Sequence, residues 1–577
     1  MFTREWSTSA RAHKVQVERG VKVLVTDGVR LNADVFRPQS ENRFPAILGY
    51  FPYDMAMQSA PITVTSFQSV QFKNPGQEKA NASIEAGDPY FYARRGYAHV
   101  LVNVRGTGKS EGSYGYLSPQ EQQDGHDVVE WIAAQPWCDG NVGMFGASYF
   151  AIVQQFVAAT HPPHLKCLFA PWAATDMYRD RVYHGGILSY RFVRNWSASE
   201  LSEPRIESYC LKVWGREKYQ EEIARLLEDE DIAGTPDLAA ALRNPTEQNN
   251  TLLVDYLLLA CYGPYWEDRR VRFDQVQVPV YLGGCWGHVG LHLPGALRSW
   301  ENLRGPKKML IGPPAYLDRP LAQMQYESLR WFDYWLKGIE NGIMQEPSVR
   351  LYKIGTHEWT ASSDWPLPET RWTPFYLHAN GVMNEHDYRT NEGSTSYEDS
   401  PWSRGAVKFY TPPMAENTDV IGPAVLNLHA STTAVDVFLF ASLWKVDAEG
   451  NERLLTRGWL KGSHRELDPD LSKPWLPVHS HRQPSPLESG QVYEFHIPIV
   501  PTATVFKAGE RILLKICGAD DKPTNSMEAI GVGHLSRQSA SRITVYHNDD
   551  NPSHLVLPIT EGNYLGTFAR GAQPYVL

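Results

Sequence analysis

Over the first third of the chain, short apolar runs rich in β-branched residues alternate with segments of helical periodicity. The runs at 46–50, 99–104, 142–145 and 167–170 read as strands, and between the second and third, Val128, Trp131 and Ile132 recur at helical spacing within 124–134. That segment is a crossover helix, and the order from Lys22 to about Ala170 is the one that builds a mainly parallel sheet with helices on its faces. After Ala170 the alternation stops. A stretch rich in charged and helix-forming residues runs to about Asp274, including 219–229 and 251–261, and reads as a helical cap. The sheet pattern resumes at 279–284 and 308–312, followed by a helix over 322–337 that Gly338 terminates. From about Trp359 the texture changes to alternating segments such as 436–444, 492–499 and 511–516, separated by Pro, Gly and Asp turns, which predicts a β-sandwich or jelly roll.

At 577 residues the chain exceeds what one hydrophobic core organises. The pattern divides it into a first part of an α/β domain (1–172), the cap (173–275), the second part of the α/β domain (276–355) and the C-terminal β-sandwich (356–577). Hydrophobic residues at 42% and charged residues at 21% are ordinary globular usage. The 55 Lys and Arg against 65 Asp and Glu leave a net charge of −10 and no basic stripe, which argues against a nucleic-acid partner. No stretch approaches the roughly 20 apolar residues a bilayer requires, and the first residues lack a signal-peptide run, so no membrane association and a cytoplasmic location are expected. The six cysteines lie scattered with no CxxC pair, which suits reduced thiols rather than a zinc ribbon or a disulfide scaffold.

The chemistry concentrates in Gly143-Met144-Phe145-Gly146-Ala147-Ser148-Tyr149-Phe150-Ala151. A strand runs into a Ser flanked by small residues, and a helix with Val153, Phe156 and Val157 on one face follows. This is the layout of a nucleophile elbow, in which a sharp strand-to-helix turn exposes Ser Oγ and aims the next N–H, that of Tyr149, at a developing oxyanion. The pattern G-x-S-x-G is incomplete because Phe150 holds the last glycine position. A Ser tucked into a tight turn is the plainer reading of the same residues.

Several long motifs in order resemble the CocE/NonD hydrolases, the family of cocaine esterase and the X-prolyl dipeptidyl peptidases. They are Thr26-Asp27-Gly28-Val29-Arg30-Leu31, Arg105-Gly106-Thr107-Gly108-Lys109-Ser110-Glu111-Gly112, the elbow from Trp137 to Tyr149, and Arg330-Trp331-Phe332-Asp333-Tyr334-Trp335-Leu336-Lys337-Gly338. The resemblance covers nearly the whole chain. It implies an α/β-hydrolase fold with an inserted helical cap, followed by an all-β C-terminal jelly roll of galactose-binding-like form. It also implies a second oxyanion donor, a Tyr hydroxyl in a Pro-Tyr-Asp context, matched by Tyr53 in Pro52-Tyr53-Asp54.

The sequence departs from the family at the partners of the nucleophile. The family's Asp belongs to a G-W-x-D-like run, and here Gly283-Gly284-Cys285-Trp286-Gly287-His288 puts Gly287 in its place. The family's His belongs to an I-G-P-W-x-H-like run, and here Ile311-Gly312-Pro313-Pro314-Ala315-Tyr316 puts Tyr316 there. Triads are defined by geometry rather than chain order, so one reading exchanges the partners, with His288 as base and Asp318 orienting it. In the other, no complete triad exists and Ser148 lies in a pocket adapted to binding or to chemistry without an acyl-enzyme. His292 competes with His288 for the base role, and Trp286, His292 and Tyr316 are candidate substrate-pocket residues. With Cys285, the two histidines also raise a metal site, but no third and fourth ligand stand at a recognised spacing, so neither metal nor other cofactor is expected. Gly108-Lys109-Ser110 is not a phosphate loop, because Asn103 stands where that motif needs Gly.

The expected function is hydrolysis of an ester or amide of a small molecule, suited by 12% aromatic residues to an apolar substrate. An X-prolyl dipeptidyl-peptidase-like activity is the alternative within hydrolases, and a non-hydrolytic or binding role is the alternative outside them. Homo-oligomerisation is left open.

Overall fold

Apolar runs too continuous for a half-exposed sheet become buried parallel strands flanked by helices. The computed structural model describes residues 7–58, 85–199, 201–247, 250–314, 320–387 and 392–562. Ten strands form the first sheet: β1 (Val15–Leu24), β2 (Arg30–Pro38), β3 (Phe44–Phe51), β4 (Ala98–Asn103), β5 (Cys138–Phe145), β6 (Leu165–Pro171), β7 (Val280–Cys285), β8 (Lys307–Gly312), β9 (Val349–Lys353) and β10 (Glu358–Ser362). Their spatial order is β1-β2-β4-β3-β5-β6-β7-β8-β9-β10. The strands from β4 to β9 run parallel, while β1, β2 and β10 pair antiparallel at the edges. Strand β10 lies past position 355, so the segment where the sequence texture changes still supplies the last strand of this sheet.

The helices that matter for the site are α1 (Pro119–Ala133), α2 (Tyr149–Ala158), α3 (Tyr190–Ser199), α4 (Leu293–Asn302) and α5 (Pro320–Lys337). Helix α1 starts at Pro119 rather than at 124, because Ser118 caps it: the Ser118 hydroxyl accepts from Glu121 N–H at 3.3 Å, and Pro occupies the first helical position. Helix α5 ends before Gly338, whose φ of +66° is the left-handed turn that stops a helix. Between β6 and β7 lie α3 and further helices at Tyr209–Trp214, Arg216–Leu227, Pro236–Arg243 and Thr251–Leu258.

Beyond Ser362 the chain is rich in sheet. Strand Thr418–Thr432 pairs antiparallel with Tyr493–Phe506, and a separate core gathers Leu426, Leu428, Phe495, Ile497, Leu514 and Leu555. This region docks on the first: Ile354 N–H donates to Ala503 O at 2.7 Å, Arg179 donates to His479 O at 2.8 Å, and the rings of His184 and His534 meet at 2.8 Å between nitrogens. None of the six cysteines is paired. No helix among the described residues is long and apolar enough to cross a membrane.

Candidate active site

The buried end of β5 delivers Gly146-Ala147-Ser148 into the start of α2. Ser148 has φ 57° and ψ −124°, a conformation that costs a non-glycine residue about 1–3 kcal/mol and persists only where the surroundings enforce it. The enforcement is visible in the packing. A Cβ on Gly146 (φ +140°) would lie 2.3 Å from Phe150 Cβ, and Ala147 N–H is held by Glu85 O at 3.0 Å. Helix α2 is buried on every face, so it has no freedom to relax the turn. Phe150, which replaces the usual glycine, stacks on Phe51 with ring centres 4.5 Å apart. Gly49 on β3 makes the room, since a Cβ there would meet Phe150 Cε1 at 3.2 Å and Leu101 Cδ2 at 2.9 Å. The space a glycine leaves at the elbow is here left by a glycine on the neighbouring strand.

Two tyrosines meet at the elbow. As the first residue of α2, Tyr149 has an N–H without an intrahelical acceptor. Tyr53 lies just past β3, in a loop pinned by Asn103 Nδ2, which donates to Tyr53 O at 2.8 Å, and its buried ring meets Tyr149 edge-on at 6.1 Å. The Tyr149 hydroxyl donates to Glu121 Oε1 at 2.5 Å and accepts from the Tyr114 hydroxyl at 3.1 Å. Glu121 Oε2 accepts from Leu117 N–H at 2.9 Å. Burial pushes the Glu121 carboxyl up to about 7, against the opposing hydrogen bonds from Tyr149 and Leu117. Tyr116 and Leu117 both adopt positive φ, 45° and 54°, in the turn that brings Tyr114, Tyr116 and Glu121 beneath Tyr149.

The opposite side is built differently. Strand β7 ends at Cys285, and the turn that follows is so tightly packed that a Cβ on Gly287 would lie 2.1 Å from Pro314 O and 2.9 Å from Asn525 Oδ1. No side chain fits at the position where the resemblance would place an acid. His288 is buried, and neither ring nitrogen has a hydrogen-bond partner among the described residues. Burial pushes its pKa down to about 3. The His292 ring lies 5.1 Å away; burial, followed by the nearby His288 and Arg181, holds its pKa well below the usual histidine range. Trp286 turns its N–H to Tyr352 O at 2.7 Å and lies 6.3 Å from Trp365. Asp318 and Tyr316 lie outside the described residues.

The structure therefore sets Tyr53 against Tyr149, the residue that follows Ser148, while no hydrogen bond among the described residues joins Ser148 to His288 or His292. Among the described residues, no group of three or more His, Cys, Asp or Glu side chains is arranged to hold a metal ion. The Arg105–Gly112 run is structural: Arg105 forks onto Asp124 at 2.5 and 2.7 Å and reaches Asp27 at 2.9 Å. Sequence reasoning missed Glu121, although Ser118-Pro119-Gln120-Glu121 is a recognisable helix-start signature. It also missed Tyr116, whose ring meets that of Tyr149 at 6.4 Å and for which no local pattern exists.

Known proteins resemble the chain along nearly all its length. The family model described as X-Pro dipeptidyl-peptidase (S15 family) matches residues 27–316, and that of the X-Pro dipeptidyl-peptidase C-terminal non-catalytic domain matches 341–556. Cocaine esterase of Rhodococcus sp. (strain MB1 Bresler) is 26% identical, with 94% of this chain and 98% of that protein covered. A solved CocE/NonD family hydrolase from Staphylococcus aureus superposes with a TM-score of 0.77 at 25% identity, covering 94% of this chain and 93% of the other. An alpha-amino acid ester hydrolase shares the fold with a TM-score of 0.70 at 18% identity, covering 96% and 98%.

Proposed function

Because the chain belongs to the X-Pro dipeptidyl-peptidase (S15) family of serine hydrolases, we propose that it cleaves an ester or amide of a small, largely apolar molecule through an acyl-enzyme on Ser148. The observation that carries this reading is the Ser148 backbone, held at φ 57° and ψ −124° between β5 and α2 with Tyr53 and Tyr149 beside it. Ser148 Oγ attacks the carbonyl, the Tyr149 N–H and the Tyr53 hydroxyl hold the oxyanion, collapse of the intermediate expels the alcohol or amine with the proton taken from Ser148, and water then hydrolyses the acyl-enzyme to free the acid and restore Ser148. His288 takes the Ser148 proton and Asp318 orients it, in a triad whose acid and base have exchanged loops; the parallel pairing of β7 with β8 supports this by setting the strand ends Cys285 and Gly312 side by side.

An esterase or amidase is preferred to an X-prolyl dipeptidyl peptidase, which needs groups that hold a free N-terminal amine. A second reading, non-hydrolytic chemistry or binding at the same pocket, is favoured by one observation: His288 is buried with both ring nitrogens unpartnered among the described residues. The same proposal takes the C-terminal region as a jelly roll, divides the chain at 172, 275 and 355 with β10 reaching back to complete the first sheet, and places the protein in the cytoplasm, with its oligomeric state open.

Turnover of p-nitrophenyl butyrate and of an X-Pro p-nitroanilide by the wild type and Ser148→Ala tests the reading. Ester turnover lost in the variant supports it. Anilide turnover exceeding ester turnover favours the peptidase, and no turnover of either favours the second reading.

A further inference from the structure

Arg181 is a buried cation with no counter-ion among the described residues, and it lies near the proposed nucleophile. It lies in the π-helical turn Tyr178–Val182 and is only 4% exposed. Its neighbours on the same turn are paired: Arg179 with Asp176 at 2.8 Å, and Asp180 with Arg298 at 2.5 Å. Arg181 has no carboxylate within ion-pair distance among the described residues. Its guanidinium instead lies over the rings of Trp196 at 3.9 Å, Tyr116 at 4.8 Å and Phe192 at 5.0 Å, and donates one hydrogen bond, to the Tyr116 hydroxyl.

Aromatic faces recover part of the cost of burying a cation, but they contact its π-surface and not its N–H edge. A guanidinium has five N–H donors in one plane, and one is used among the described residues. A buried charge with uncommitted donors is costly to keep, and such groups gather at functional sites. The location agrees. Trp196, on which Arg181 rests, stacks on Tyr149 with centroids 6.2 Å apart and an interplanar angle of 8°. The charge of Arg181 is felt by both Tyr53 and His292. The buried carboxyl of the same cluster, Glu121, is turned to Tyr149 and Leu117 instead.

We propose that Arg181 is a specificity-determining residue whose N–H edge binds a carboxylate carried by the substrate. The substrate is then an ester or amide with a carboxylate a few bonds from the scissile carbonyl. This rests on the serine-hydrolase reading for which bond is cleaved, but the anion site itself does not depend on cleavage. A guanidinium here also repels the free ammonium that an X-prolyl dipeptidyl peptidase must accept.

The test uses full-length Ser148→Ala protein, which binds without turnover, and calorimetry with two probes of one shape, monomethyl adipate and dimethyl adipate. The acid is expected to bind at least about tenfold more tightly than the diester, as a charge-assisted bidentate contact provides. Adding Arg181→Met should bring the two within about twofold, whereas Arg181→Lys, a point charge without the fork, should retain part of the preference. Equal binding of the probes to Ser148→Ala, or a preference that survives Arg181→Met, overturns the proposal. If the Met variant does not fold, Arg181→Lys decides: undiminished acid binding there contradicts a role for the fork, and weakened acid binding supports it. Failure of the wild type to acylate contradicts the serine-hydrolase reading alone, because these binding measurements require no acylation.

Discussion

The two sides of the candidate site carry unequal amounts of structure. On the nucleophile side, at β3, β5 and α2, every feature reinforces the others: a strained Ser148, a glycine where only a glycine fits, a phenylalanine accommodated by a glycine on the next strand, and a tyrosine tied to a buried carboxyl. On the base side, after β7, Gly287 is walled in by a backbone carbonyl and His288 is buried without a hydrogen-bond partner among the described residues. Nucleophile geometry resides in backbone strain and packed volume, which must be kept whole. The acid and base reside in loops, where single substitutions redistribute them. A family fold with an intact elbow therefore transmits the position of attack more faithfully than the route of the proton.

The largest expected effect bears on the weaker side. If His288 is the base, His288→Ala lowers the acylation rate about 10²- to 10⁴-fold, read by stopped-flow with a p-nitrophenyl ester. A change under threefold removes it from the mechanism and leaves the elbow without an exchanged triad. Next, Tyr53→Phe should lower kcat about 10²- to 10³-fold with a smaller effect on KM, since the hydroxyl acts on the developing oxyanion. An equal loss in kcat and gain in KM would make Tyr53 a packing residue instead. Gly287→Ala should destabilise the fold by about 1–3 kcal/mol through overpacking against Pro314 O, read as a lower thermal midpoint. An unchanged midpoint would show that this loop yields and that an acid can return there.

The smallest effect is a pH dependence. Burial holds the Glu121 carboxyl up to about 7 in the fold against an ordinary value of 4.5. The folded state thus holds that proton more tightly than the unfolded chain. The resulting stabilisation is complete below pH 4.5 and lost as the pH rises through 7. Glu121→Gln stays neutral throughout, so between pH 5 and 8 the wild-type thermal midpoint should fall relative to that of the variant. Parallel midpoints across this range would place the Glu121 charge elsewhere.

The hydrolase sheet was legible because its parallel strands are buried on both faces and read as apolar runs; 46–50, 142–145 and 167–170 all fall within β3, β5 and β6. The elbow was legible because its steric demands force Gly146 and Ala147 to be small beside Ser148. The start of α1 was misplaced because polar Pro119-Gln120-Glu121 breaks the apolar periodicity, though Ser118 caps the helix. The compensation of Phe150 by Gly49 was hidden, since the two residues meet only through the β3–β5 pairing. Arg181 was invisible for the same reason: what marks it is that no carboxylate among the described residues pairs with it in space, and its chain neighbour Asp180 turns to Arg298.

The central claim, that Ser148 is an activated nucleophile, is tested most directly by intact mass after incubation with a fluorophosphonate probe, with Ser148→Ala as the control. The account predicts one adduct per wild-type chain and none on the variant. Folded wild-type protein that stays unlabelled, or an adduct that persists on Ser148→Ala, would contradict it.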